Sequence, residues 1–186
     1  MKRFYLLIAL LIFLSGCASE NKAINEAITL RQSILEGNGC NFNAQITADF
    51  GQKIYTFSLK CKTDAVGNMF FEVVSPETIS GITGMITEKD GKLTFDDQVL
   101  LFETIADGQL TPVTAPWLLI HTLCCGYIRS CGTDGDMLRI QIDDSYAENA
   151  IQLEIWVDQL NKPIRGEILW EGRRIISIDV TDFEIL

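Results

Sequence analysis

The side chains best suited to chemistry cluster in one short stretch. His121 is the only histidine of the 186 residues, and Cys124, Cys125 and Cys131 follow within ten positions. Zinc wants four converging ligands, whereas adjacent residues on a helix, such as Cys124 and Cys125, point about 100° apart. A general base also needs a nucleophile and an orienting partner, and the spacing identifies neither. His121 therefore reads as a structural histidine at a helix–sheet seam or a cavity mouth. The acidic pairs Asp96-Asp97 and Asp143-Asp144 fall at expected strand ends, where solvated turns account for them. Asp134-Gly135-Asp136 lacks the rest of a calcium loop, and Gly81 and Gly84 lack the lysine and hydroxyl of a phosphate loop. No residue is assigned to catalysis or to a metal, and no cofactor is implied.

Cys17 carries a different chemistry. Lys2 and Arg3 precede an apolar run from Phe4 to Leu14. At about 1.5 Å per residue that run is too short for a bilayer core of about 30 Å, so it reads as a removable export signal. It ends Leu14-Ser15-Gly16-Cys17, which resembles a bacterial lipobox. That resemblance implies diacylglycerol transfer to the Cys17 thiol and cleavage before it, leaving a lipid-anchored protein on the extracytoplasmic side of a bacterial membrane. Residues 1–16 are then the signal peptide, 17–22 a lipidated terminus and tether, and 23–186 a single domain. Several acyl chains on one residue hold a protein durably, palmitate being one such chain.

Loss of residues 1–16 takes Lys2 and Arg3 with it and leaves 13 basic against 25 acidic side chains, a formal charge of about −12. Such a surface offers nothing to neutralise phosphates, so nucleic acid is not a partner. It offers no polybasic membrane patch either, so attachment depends on the lipid.

These residues must be positioned by the elements around them. Ala23, Ile24, Ala27, Ile28, Leu30, Ile34 and Leu35 recur at a helical period, predicting a helix over about 22–36 that Gly37 and Gly39 close. Beyond it the period drops to two. Phe42, Ala44, Ile46 and Ala48 alternate with polar residues, and so do Tyr55, Phe57, Leu59 and Cys61, which together predict a hairpin turning near Gly51. With the turn centred on Phe50 and Gly51, Cys40 falls opposite Cys61, and a disulfide between them is expected. A second bond is expected from Cys131 to Cys124 or Cys125.

Further strands read as 68–74, a bent segment over 79–87, a hairpin turning at Asp90-Gly91, and 98–105. Pro116 in a first turn then launches a mostly apolar helix of twelve to fifteen residues carrying Trp117, Ile120, His121 and both adjacent cysteines. The last third returns to strands at 137–142, 150–157, 164–170 and 173–183, joined by short turns that imply antiparallel meanders. The expected fold is mainly β with helices: a curved, antiparallel, incomplete β-barrel closed by the N-terminal helix and the central inserted helix.

Three stretches together resemble the LolA/LolB-like superfamily of lipoprotein carriers and receptors: Gly67–Pro76 (GNMFFEVVSP), Ile86–Phe95 (ITEKDGKLTF) and Leu153–Trp170 (LEIWVDQLNKPIRGEILW). Their order spans most of residues 23–186. The resemblance implies an incomplete barrel over an apolar cavity that shelters acyl chains or lipidated molecules, and Cys17 makes the chain more like the anchored receptor than the soluble carrier. Candidate cavity residues are Phe57, Leu59, Phe71, Val73, Ile82, Met85, Leu101, Trp117, Ile120, Ile155, Trp156 and Ile168. The expected function is non-catalytic binding of an acyl chain, lipid or lipidated protein, with transfer within the cell envelope. The alternative is an envelope scaffold that docks a protein partner through a strand edge or through Trp156.

Overall fold

The computed structural model describes residues 16–87, 91–94, 106 and 110–186. Among them ten strands form one antiparallel sheet in the order β5-β4-β3-β2-β1-β10-β9-β8-β7-β6. The first wing is a meander of β1 (Cys40–Asp49), β2 (Ile54–Thr63), β3 (Met69–Ser75), β4 (Thr83–Ile86) and β5 (Gly91–Thr94). The second comprises β6 (Tyr127–Asp134), β7 (Met137–Asp143), β8 (Gln152–Val157), β9 (Pro163–Trp170) and β10 (Arg173–Ile185). The wings join where β1 pairs with β10. Among the described residues the outer strands β5 and β6 do not pair with each other, which leaves the sheet open, an incomplete barrel as expected.

Two helices accompany the sheet, α1 (Gly16–Glu36) before β1 and α2 (Ala115–Cys125) between the wings. α1 begins six residues before the expected start. Its Ala23, Ala27, Leu30 and Ile34 are buried at i, i+4, i+7 and i+11, one stripe of a 3.6-residue period. That stripe packs against β6, β7 and α2. α2 starts where predicted, with Pro116 in its first turn, but stops at Cys125. A Cβ at Gly126 would lie 2.6 Å from Ile142 Cγ2, and the chain turns there into β6. The expected helix ran further and absorbed the start of that strand.

α2 lies close against the second wing because β9 carries a glycine beneath it. A Cβ on Gly166 would approach Leu119 Cδ1 to 2.2 Å, and Leu119 is fully buried at that point. Arg31 then ties the two helices together. Its Nε donates to the Leu123 carbonyl at 2.5 Å and its Nη2 to the Gly126 carbonyl at 2.9 Å. A guanidinium there satisfies carbonyls that the helix end leaves without intrahelical partners and complements its partial negative charge.

The first hairpin forms with the expected inward face, but its register is shifted. Phe50 N–H donates to Lys53 O across a turn at Gly51 and Gln52, and Phe42, not Cys40, is paired with Cys61. Cys40 N–H donates instead to Thr63 Oγ1 at 2.7 Å. Cys40 and Cys61 are therefore diagonal neighbours, about 7–8 Å apart and beyond disulfide reach. Both are free thiols.

The second expected bond is also overturned, since Cys124 and Cys125 are free thiols. Cys131 lies four residues into β6, and at about 3.3 Å per residue the strand carries it away from the end of α2.

Candidate functional site

Where the C-terminal ends of α1 and α2 meet the loop between β2 and β3, the structure leaves a cavity of about 520 Å³. Ile34, Leu35, Gly37 and Gly39 line it from the end of α1 and the turn that follows. Trp117, Ile120, His121, Cys124 and Cys125 contribute one face of α2, and Thr63 to Asn68 form the opposite wall. The size falls within the range of about 300–1,000 Å³ that small-molecule sites occupy.

Each wall is built by a local device. Asp64 folds the β2–β3 loop around its own carboxylate: Oδ1 accepts the Val66 and Asn68 backbone N–H groups, both at 2.9 Å, and Oδ2 accepts Asn68 Nδ2 at 2.8 Å. Desolvation opposes ionisation there, but the Asn68 amide and the backbone donors outweigh it and hold the carboxyl below its usual range. Gly39 makes the floor. Its φ is +124°, and a Cβ would lie 2.0 Å from Thr63 O, so only glycine lets the chain pass from α1 into β1 there.

The α2 face carries the aromatic component. The Trp117 ring stacks on the His121 ring at 4.6 Å between centroids and 15° between planes. Trp117 Nε1 donates to Gly67 O at 3.0 Å, so the indole spans from α2 to the β2–β3 loop. His121 thus faces the cavity, one of the two places expected for it. Cys124 is half-buried, and burial first, with neighbouring Cys125 and Cys40 adding to it, pushes its thiol up to about 11 despite Arg31. It is a protonated lining group at neutral pH. No cluster among the described residues could hold a metal ion.

The expected cavity residues separate into groups. Trp117 and Ile120 line the cavity. Leu59, Phe71, Val73, Ile82, Ile155 and Ile168 are buried core, and Phe57 is half-buried against it. None of these seven lines the cavity. Leu101 lies outside the described residues.

Met85 and Trp156 face the opposite side of the sheet. Met85 is paired with the exposed Phe70. Trp156 follows the inward Ile155, so the strand's two-residue period turns it outward. There it is covered by the guanidiniums of Arg139, at 5.6 Å, and Arg165, at 5.0 Å, while its Nε1 donates to Asp134 Oδ2 at 2.8 Å. Sequence reasoning missed the cavity's other walls, Leu35 and Thr63 to Asn68. The only signal there was the Asp-x-x-Gly-Asn turn chemistry of residues 64–68.

The acidic pairs behave as turn residues where they are described. Asp143 pairs with Arg129 at 3.4 Å, and Asp144 Oδ1 accepts Ser145 Oγ and Ile151 N–H. Asp96-Asp97 lie outside the described residues. A second, more open depression of about 860 Å³ crosses β1 to β4 and the end of β10, bringing Lys60, Lys62, Phe70, Met85, Asp182 and Glu184 together. Its charges are mixed, and among the described residues no helix lines it.

No family model matches the sequence. No curated protein matches it. Among solved structures, an uncharacterised conserved protein from Thermus thermophilus is similar at 12% identity and a TM-score of 0.46, over 86% of this chain and 87% of that one. The lipoprotein LppX of Mycobacterium tuberculosis is similar at 11% identity and 0.41, over 87% and 93%. A LolA superfamily protein from Nitrosomonas europaea is similar at 11% identity and 0.43, over 86% of this chain and 93% of that one.

Proposed function

We propose that this chain is an exported, membrane-anchored lipoprotein that binds an acyl chain or acylated molecule in the cavity between α1, α2 and the β2–β3 loop. The cavity itself carries the reading. It is a half-open cleft at the ends of two helices, walled by Trp117, Ile120 and Ile34, with the exposed Leu35 and Val66 at its edge. The lipobox-like Leu14 to Cys17 supplies the anchor in this reading, and the sequence resemblance supplies the ligand class.

The energetics are adequate. Eight methylene groups moved from water into such a hollow gain about 6 kcal/mol at about 0.8 each, a dissociation constant on the order of tens of micromolar. His121 and Cys124 act here as wall, not as acid, base or nucleophile.

Native mass spectrometry and lipid extraction of the mature protein test the reading. A bound acyl species that is lost on Ala65→Trp, which fills the mouth, supports it. A protein that takes up no envelope lipid refutes it.

A second reading draws on the outer depression. Phe70 and Met85 beside Lys60 and Lys62 suit a protein partner, and a co-purifying protein retained by Ala65→Trp but lost on Phe70→Ser favours it. Trp156 is a poor anchor for docking because the indole is only 7% exposed.

A further inference from the structure

Resting on the acyl-binding reading, we infer that the cavity selects acylated molecules whose head group carries no negative charge and donates hydrogen bonds, a glyceride hydroxyl or an amine rather than a phosphate or carboxylate. Both helices present their C-terminal ends to the hollow. Ile34, Leu35 and Gly37 end α1, and His121, Cys124 and Cys125 lie in the last turns of α2. A helix C-terminus carries the equivalent of about half a negative charge on carbonyls that lack partners, and neither helix has a basic residue in its last turn.

The lining side chains add to the same sign. Among the described residues none is Lys or Arg, and the one carboxylate is Asp64. Asp64 is kept ionised by the donors of its own loop, so it contributes charge without being free to bind. The nearest guanidinium, Arg31, directs Nε and Nη2 at the carbonyls of Leu123 and Gly126, where it offsets one of the two helix ends. The other end, that of α1, has no such counterpart among the described residues. The whole chain carries a formal charge of −10. An anionic head group would therefore meet one sign of charge inside and outside, whereas a hydroxyl or ammonium meets acceptors.

The test is a ligand series at constant chain length, run on the mature protein and on Asp64→Asn. Monolauroylglycerol and laurate are titrated calorimetrically below their micelle concentrations at pH 8. The glyceride is expected to bind at least tenfold tighter. The gap is expected to narrow in 0.5 M salt, where screening shortens to a few ångströms, and again in Asp64→Asn. Laurate binding as tightly as the glyceride, or a gap indifferent to both salt and Asp64→Asn, overturns the inference while leaving the acyl site standing. Binding of neither refutes the acyl-binding reading and the inference with it.

Discussion

The indole N–H of Trp117 donates to the carbonyl of Gly67 across fifty residues of chain, at 3.0 Å, and links α2 to the β2–β3 loop of the first wing. Trp117→Phe keeps a ring to stack on His121 but removes that donor. A hydrogen bond of about 1 kcal/mol corresponds to about fivefold in an equilibrium. Ligand dissociation is therefore expected to accelerate about fivefold with only a small loss of thermal stability, measured by stopped-flow displacement and by calorimetry.

Arg31 should matter more for stability. Arg31→Met retains the stem but leaves the carbonyls of Leu123 and Gly126 without their charged donor. A loss of about 2 kcal/mol is expected, which lowers Tm by about 4–8 °C for a chain of this size. An unchanged Tm would show that α1 is held by its Ala23 to Ile34 stripe alone.

Gly166→Ala places a methyl against Leu119, with a cost of about 1–3 kcal/mol for overpacking. The partner identifies the cause. Leu119→Ala, destabilising alone, should be less so in the double variant, and chemical denaturation of the four proteins of that cycle measures the coupling.

Thr122 offers the opposite sign. Its Oγ1 is buried and has no hydrogen-bond partner among the described residues. Thr122→Val keeps the shape and removes a desolvated hydroxyl, so a gain of about 1 kcal/mol is expected, seen as a rise of about 2–4 °C in Tm.

Asp64 predicts a pH dependence confined to acid. Its pKa is lower in the folded chain than the ordinary 3.8, so the stability it contributes is complete above that value and is lost as pH falls through the lower folded one. The difference in Tm between wild type and Asp64→Asn should be constant from neutral pH to about 5 and shrink below about pH 4.

The alternation of β1, β2 and β7 to β10 is legible because each has one dry face, and Pro116 announces the start of α2. The hairpin register was misread by one step of the turn. Asp49 Oδ1 accepts the Gly51 N–H at 2.7 Å, drawing the turn onto Gly51-Gln52 rather than Phe50-Gly51, and that displacement moves Cys40 from Cys61 to Thr63. β6 has no period to read because it is an edge strand with Cys131 as its one buried residue. Trp156 was misplaced for a different reason. It stands among the cavity candidates in the sequence, yet what covers it is a pair of guanidiniums on the far face. The cavity was the least legible feature, since it depends on where two helices end and not on what faces inward along a strand.

The seam between β1 and β10 joins Ala44 to Val180 and Ile46 to Ile178, partners more than 130 positions apart. Contacts of such high sequence separation are late and slow in folding, because a long stretch of chain must be closed before they repay its entropy. Until the final strand is in place, β1 therefore has an unfilled edge facing solvent, and the first wing is a template for wrong pairings. The last thirteen-residue strand thus times maturation: removal of residues 173–186 should yield a species that is chaperone-dependent or aggregating rather than a smaller folded domain.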